Sequence, residues 1–168
     1  FEIALSAQQI AKSALPGQFV NIKVSDGIEP LLRRPLSIHR TSHKSQVSGR
    51  RTKEKEYIVM LYEVVGKGTE ILSQRKSGEF LDIIGPLGNG FDYEGGKTID
   101  DGRIVLVAGG MGTAPLVFLA EELQKRRMKE DRRRTIVLLG AKTKESILCE
   151  KEFKEFGCEV KIATDDGS

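Results

Sequence analysis

The segment VAGGMGTAP, residues 107–115, constrains the fold more than any other stretch of this chain. It joins a short apolar run at residues 103–108 to a stretch at 115–127 in which Leu116, Leu119, Ala120 and Leu123 recur at helical spacing. An apolar strand, a glycine turn and an amphipathic helix in that order predict the first half of a βαβ unit. Gly109, Gly110 and Gly112 would let backbone N–H groups approach an anion at the positive end of the helix dipole. Thr113 and Ala114 lead into Pro115, which fits a first helical turn because its missing N–H costs nothing there. As a bare motif the turn supports two readings: a grip on a dinucleotide pyrophosphate, or a tight connection needed only for strand–helix packing.

The residues that follow continue the pattern. A β-branched and leucine run at 135–139, an amphipathic stretch at 145–156 and a further apolar run at 159–163 predict strand, helix and strand, hence a parallel βαβαβ unit. A standard Rossmann fingerprint also wants an acid at the end of the second strand to hold a ribose. Here Leu139 is followed by Gly140, Ala141, Lys142 and Thr143, which disfavours a standard Rossmann dehydrogenase. Lys142 and Lys144 leave NADH and NADPH both open as donors, because a 2′-phosphate could be met there.

The first half of the chain reads differently. Runs at 1–5, 18–24, 35–38, 57–64 and 79–84 are short, alternating or apolar, and separated by turn residues, which predicts a small antiparallel barrel or sandwich. Residues 40–56 are polar and charged and read as a long surface loop, most simply an insertion without function. The glycine- and aspartate-rich stretch FDYEGGKTIDDG at 91–102 marks the border. The expectation is therefore an antiparallel β-barrel over residues 1–98, then a parallel βαβ nucleotide-binding domain over 99–168.

Charge and cysteine usage exclude several function classes. The net charge is only +3, and the two basic runs, at 40–55 and 125–134, contain acids and no aromatic residue, unlike a nucleic-acid groove. No apolar run approaches the length of a membrane span, and the expected compartment is the cytoplasm. Cys149 and Cys158 lack the spacing of a zinc or cluster site and read as reduced, buried thiols, with Cys149 packing on a helix. His39 and His43, at and beyond a strand end, read as surface or capping residues. The chain opens at Phe1 without a methionine or signal peptide and stops after TDDGS, so both ends look cut.

Two further constellations gain meaning from their order. LRRPLSI, residues 32–38, sets two arginines before a proline and a hydroxyl; arginine's planar fork suits phosphate, yet a proline-protected edge strand with solvated arginines explains it equally. GKGT, residues 66–69, follows a strand and opens a short helix; it lacks Walker spacing, and a reverse turn accounts for it alone. An arginine-proline-serine strand, then GKGT, then GPLGNGF at 85–91, then GGMGTAP is a sequence of motifs that resembles the ferredoxin-reductase superfamily. Within it the chain is most similar to the electron-transfer subunits of heteromeric bacterial dihydroorotate dehydrogenase, from PGQF at 16–19 to TDDGS at 164–168.

That resemblance implies an FAD-binding barrel and an NAD(H)-binding second domain, with hydride passing from nicotinamide to flavin and no acid–base side chain required. It implies that Arg34 pairs with the FAD phosphates, and that Pro35, Leu36 and Ser37 lie along the flavin, Ser37 at its reactive edge. Many relatives carry tyrosine at the position of Leu36, so aromatic stacking is absent there. Leu61, Tyr62 and Glu63 would line the flavin, and Gly68 and Thr69 would hold its pyrophosphate. The resemblance also implies a cysteine-rich segment after TDDGS carrying a two-iron, two-sulfur cluster, and an FMN-containing catalytic partner in a heterotetramer. Rival readings are a reductase subunit of a hydrogenase, sulfide dehydrogenase or ferredoxin:NADP oxidoreductase, a stand-alone flavin reductase, or a non-catalytic nucleotide-binding interaction module.

Overall fold

The structure is a computed structural model in which residues 1–27, 29–42, 56–93, 103–127 and 134–168 are described. The chain separates into two compact units, Phe1–Asn89 and Gly90–Ser168. The expected border near residue 98, His43 and nearly all of the polar insertion, residues 43–55, lie outside the described residues.

The first unit is an antiparallel, curled sheet of five strands in the order β1-β4-β3-β2-β5: β1 Glu2–Ser6, β2 Phe19–Lys23, β3 Arg34–Thr41, β4 Tyr57–Leu61 and β5 Asp82–Leu87. Alternation sets its inner face: Val20, Ile22, Leu36, Ile38, Ile58 and Met60 are buried, while their neighbours on β2 and β3 are mostly half-exposed. A short helix, α1 Gln8–Ser13, buries Ile10 and Ala11; six residues without a side-chain cap left no periodic signal from which to expect it. A second, α2 Lys67–Ser73, begins within GKGT and buries Leu72. Gln18 of the PGQF motif ties the unit together, its amide donating to Gly88 O at 2.8 Å while its side-chain oxygen accepts from Leu15 N–H at 2.8 Å.

β3 runs farther than its apolar core suggested and changes partner along its length. Arg34 to Ser37 pair with β2, whereas Ile38, Arg40 and Thr41 pair with β4 across a register shift. The reading of Pro35 as part of an edge strand holds only locally: β3 lies between β4 and β2, but its pairing with β4 starts at Ile38. Ile38 N–H donates to Gln18 O, so strand alternation turns the backbone groups of Pro35 and Ser37 away from β2. No described strand pairs with them on that side. The longer strand also buries His39, at 1% exposed, which corrects its reading as a surface or capping residue.

The second unit is a three-stranded parallel sheet, β6 Arg103–Gly109, β7 Arg134–Ala141 and β8 Glu159–Thr164, in that order. The helix α3 Thr113–Arg127 follows β6, and Val117, Leu119, Ala120 and Leu123 on it pack with Leu106, Ala108, Val137, Leu139 and Phe153 into one core. The helix expected over 145–156 shrinks to α4 Glu150–Glu155. A 3-10 turn at Lys144–Ser146 precedes it, and Ile147 is extended, packing onto the core from non-helical backbone. Cys149 therefore stands just before α4, in left-handed geometry at φ 61, rather than on the helix. Both cysteines are half-buried against this core.

Candidate nucleotide-binding sites

In the first unit the two adjacent arginines take different work. Arg33 is committed to Asp82, with Nη2 to Oδ2 at 2.6 Å and Nη1 to Oδ1 at 3.1 Å. The Arg33 guanidinium holds the Asp82 carboxyl below the usual carboxylate range. Arg34 crosses to α2 instead. Its Nη1 donates to Leu32 O at 2.9 Å, and a Cβ placed on Gly68 would stand 2.1 Å from Nε and 2.9 Å from Nη2. Only glycine leaves room for the guanidinium there. Nε and Nη2 of Arg34 have no protein acceptor among the described residues. A guanidinium held against the first turn of a helix, with donors to spare, can take an anion.

The surrounding turn is closed by hydrogen bonds to one side chain. Thr69 Oγ1 accepts from Val65 N–H at 3.0 Å and Gly66 N–H at 3.3 Å and donates to Gly66 O at 2.9 Å. Its hydroxyl is thus spent on the turn, and what Thr69 can offer a ligand is backbone. Lys67 reaches Glu29 at 2.7 Å and so ties the strand-entry segment to α2.

Along β3 the expected residues divide by face. Pro35 is exposed and Ser37 half-buried on one face, while Leu36 turns inward and joins the core at 8% exposed. At the end of β4, Leu61 is half-buried and Glu63 exposed. Tyr62 is buried, its ring stacked on Phe1 with centroids 5.8 Å apart, and burial pushes its phenol above the ordinary value. The unit therefore brings Arg34, Gly68 and Thr69 together at one end of an open-sided strand. The long-range meeting of Arg34 with Gly68 had no signature in either motif alone.

In the second unit the VAGGMGTAP segment behaves as its pattern predicted. β6 ends at Gly109, a single 3-10 turn spans Gly110–Gly112, and α3 starts at Thr113. Gly110 has φ +51, a conformation that side chains disfavour, and open space lies where its Cβ and that of Gly112 would be. Gly109, Gly110 and Gly112 are exposed, whereas Thr113 and Ala114 are buried and Pro115 half-buried, so the turn presents backbone to solvent over a fixed helix start. Beyond the end of β7, the TDDGS segment packs against the Ala141–Lys144 loop through Asp165 N–H to Ala141 O and Asp166 N–H to Lys142 O.

Comparison with known proteins agrees with this layout. Residues 106–161 match the family described as oxidoreductase NAD-binding domain. Among solved structures, an NADH-dependent reduced ferredoxin-NADP oxidoreductase matches 100% of this chain and 52% of its own at 30% identity and a TM-score of 0.70. A ferredoxin-NADP+ reductase from Plasmodium falciparum, at 14% identity, shares the fold with a TM-score of 0.65 over 97% of this chain and 61% of its own. In fold, and over residues 106–161 in sequence, the chain is similar to the ferredoxin-reductase superfamily.

Within that superfamily its sequence is similar, over all 168 residues, to electron transfer subunits of dihydroorotate dehydrogenase B (NAD(+)). Identity is 42% to the subunits of Desulforamulus reducens and of Geobacillus kaustophilus, covering 57% and 58% of those proteins. The chain thus spans little more than half the length of the curated relatives it matches. Among the described residues no helix is long and apolar enough to cross a membrane.

Proposed function

We propose that this chain is the flavin- and nicotinamide-binding part of an electron transfer subunit, taking electrons from NADH for a dihydroorotate dehydrogenase catalytic subunit. The observation that carries this is the Arg34 guanidinium lying across Gly68 beside the open side of Pro35 and Ser37. The residues fit FAD, since guanidinium donors with no protein acceptor among the described residues lie against the first turn of α2, where Gly68 and Thr69 are buried, next to a strand edge that no described strand covers.

In this reading residues 1–98 bind FAD and 99–168 bind NAD(H). Arg34, with the backbone of Gly68 and Thr69, holds the FAD pyrophosphate. Pro35 and Ser37 border the isoalloxazine, Leu36 supports them from the core, and Leu61, Tyr62 and Glu63 close the far side. Gly109, Gly110 and Gly112, with Thr113, Ala114 and Pro115 fixing the helix start, grip the NAD(H) pyrophosphate. The bound flavin supplies hydride acceptance and one-electron release; this chain supplies position and charge and needs no proton donor. Two cysteines fall short of the four thiolates of a ferredoxin-type two-iron, two-sulfur cluster, so no such cluster is assigned to these residues. The partner is an FMN-containing catalytic subunit, the assembly a cytoplasmic heterotetramer.

Titration with FAD, followed by anaerobic NADH or NADPH, tests the reading. FAD should bind and colour the protein yellow, and NADH should bleach the flavin band faster than NADPH. A colourless protein that takes up no FAD would falsify it.

A further inference from the structure

Resting on the FAD reading above, we infer that Leu31 and Leu32 form the seat for the adenine of the dinucleotide. Both are almost bare, 76% and 73% exposed, in a protein whose other leucines are mostly buried or half-buried. Their backbone is tied to the candidate anion site. Leu32 O accepts from Arg34 Nη1 at 2.9 Å, the same guanidinium that lies over Gly68. The segment is pinned again where Glu29 meets Lys67 of α2 at 2.7 Å.

FAD is a linear molecule with its pyrophosphate between two flat groups. An FAD bound in extended form, with its pyrophosphate at Arg34 and Gly68 and its isoalloxazine along β3 toward Ser37, carries the adenosine away from Ser37. That direction is back along the chain from Arg34, to Leu32 and Leu31. Two exposed branched aliphatic side chains can cover a purine face and gain from leaving water. Neither group is needed for the flavin ring or the first phosphate.

The comparison of FAD with FMN tests this directly, because FMN keeps the isoalloxazine, ribityl chain and one phosphate but lacks the adenosine. In the full 168-residue chain, the double variant Leu31→Ser, Leu32→Ser should bind FAD about a hundredfold more weakly, roughly a decade per leucine, and FMN as tightly as the parent does. The Leu31→Met, Leu32→Met variant should restore most of the FAD affinity. Unchanged FAD affinity in the serine variant overturns the assignment and leaves the leucines to a protein partner. An equal loss for FAD and FMN also overturns it, as would loss of FAD affinity in the methionine pair. If the parent chain binds neither flavin, the FAD reading itself falls, a different result from any of these.

Discussion

Replacing Gly68 with alanine isolates the contact on which the flavin assignment rests. The new methyl would lie 2.1 Å from Arg34 Nε, and relaxation to an ordinary contact of about 3.4 Å pushes the guanidinium back by about 1.3 Å. The obstructing atoms belong to a long side chain, and φ at Gly68 is not left-handed, so the backbone tolerates alanine. In the first turn of α2 it should leave stability unchanged or raise it by up to about 1 kcal/mol. The anion site, by contrast, loses its geometry. A hydrogen bond to a charged group contributes about 1.5–3 kcal/mol, so FAD affinity should fall between about tenfold and a hundredfold. Flavin fluorescence on titration reads the affinity and thermal melting of the flavin-free protein reads the stability. The double variant Gly68→Ala, Arg34→Ala should bind no worse than Arg34→Ala alone, because the methyl acts only through the arginine. FAD affinity within twofold of the parent in Gly68→Ala, or additive losses in the double variant, would refute the reasoning.

Other perturbations probe the framework around both sites. Thr69→Ala removes a hydroxyl that makes three bonds within its turn and should cost about 1–2 kcal/mol in urea unfolding, with Thr69→Ser retaining most of it. Phe153→Ala empties a fully buried position in the second core and should cost about 3–5 kcal/mol by the same measurement. Gly110→Val forces a branched side chain into φ +51 and should slow flavin reduction by NADH at least tenfold in stopped flow while leaving FAD binding intact. The Asp82 carboxyl is held below its ordinary value by Arg33, so its contribution is present above the unfolded-state pKa and lost as pH falls through the folded one. Asp82→Asn should therefore be less stable than the parent at neutral pH, and the gap should close in acid; an undiminished gap at pH 2 in denaturant titrations would contradict this.

How much of this was legible in the sequence depends on the range of the interactions. β6, its glycine turn and α3 were readable because the strand run, the three glycines and the helical spacing are local and agree with one another. α4 was overdrawn because Cys149, Phe153 and Phe156 recur at helical spacing, yet Cys149 stands outside the helix and Ile147 packs from extended backbone, a distinction periodicity cannot make. His39 was misplaced because the end of β3 is set by pairing with β4, across the intervening insertion. The candidate flavin site was legible only as separate motifs. Nothing in LRRP tells which arginine goes to Asp82 and which to Gly68, since that is decided by where β5 and α2 come to rest.

The pairing of β1 with β4 bears on how the chain is made. Ser6 opposes Tyr57 and Glu2 opposes Leu61, so β1 leaves the ribosome well before its partner β4 emerges. At about 5–20 residues per second, that is a wait of roughly 3–10 s with an unpaired strand. The second unit has no such delay, because each parallel strand follows its neighbour after a single helical crossover. The first unit should thus be the slower to fold although it is synthesised first, and a mutation in β4 should endanger the nascent chain more than one in β7.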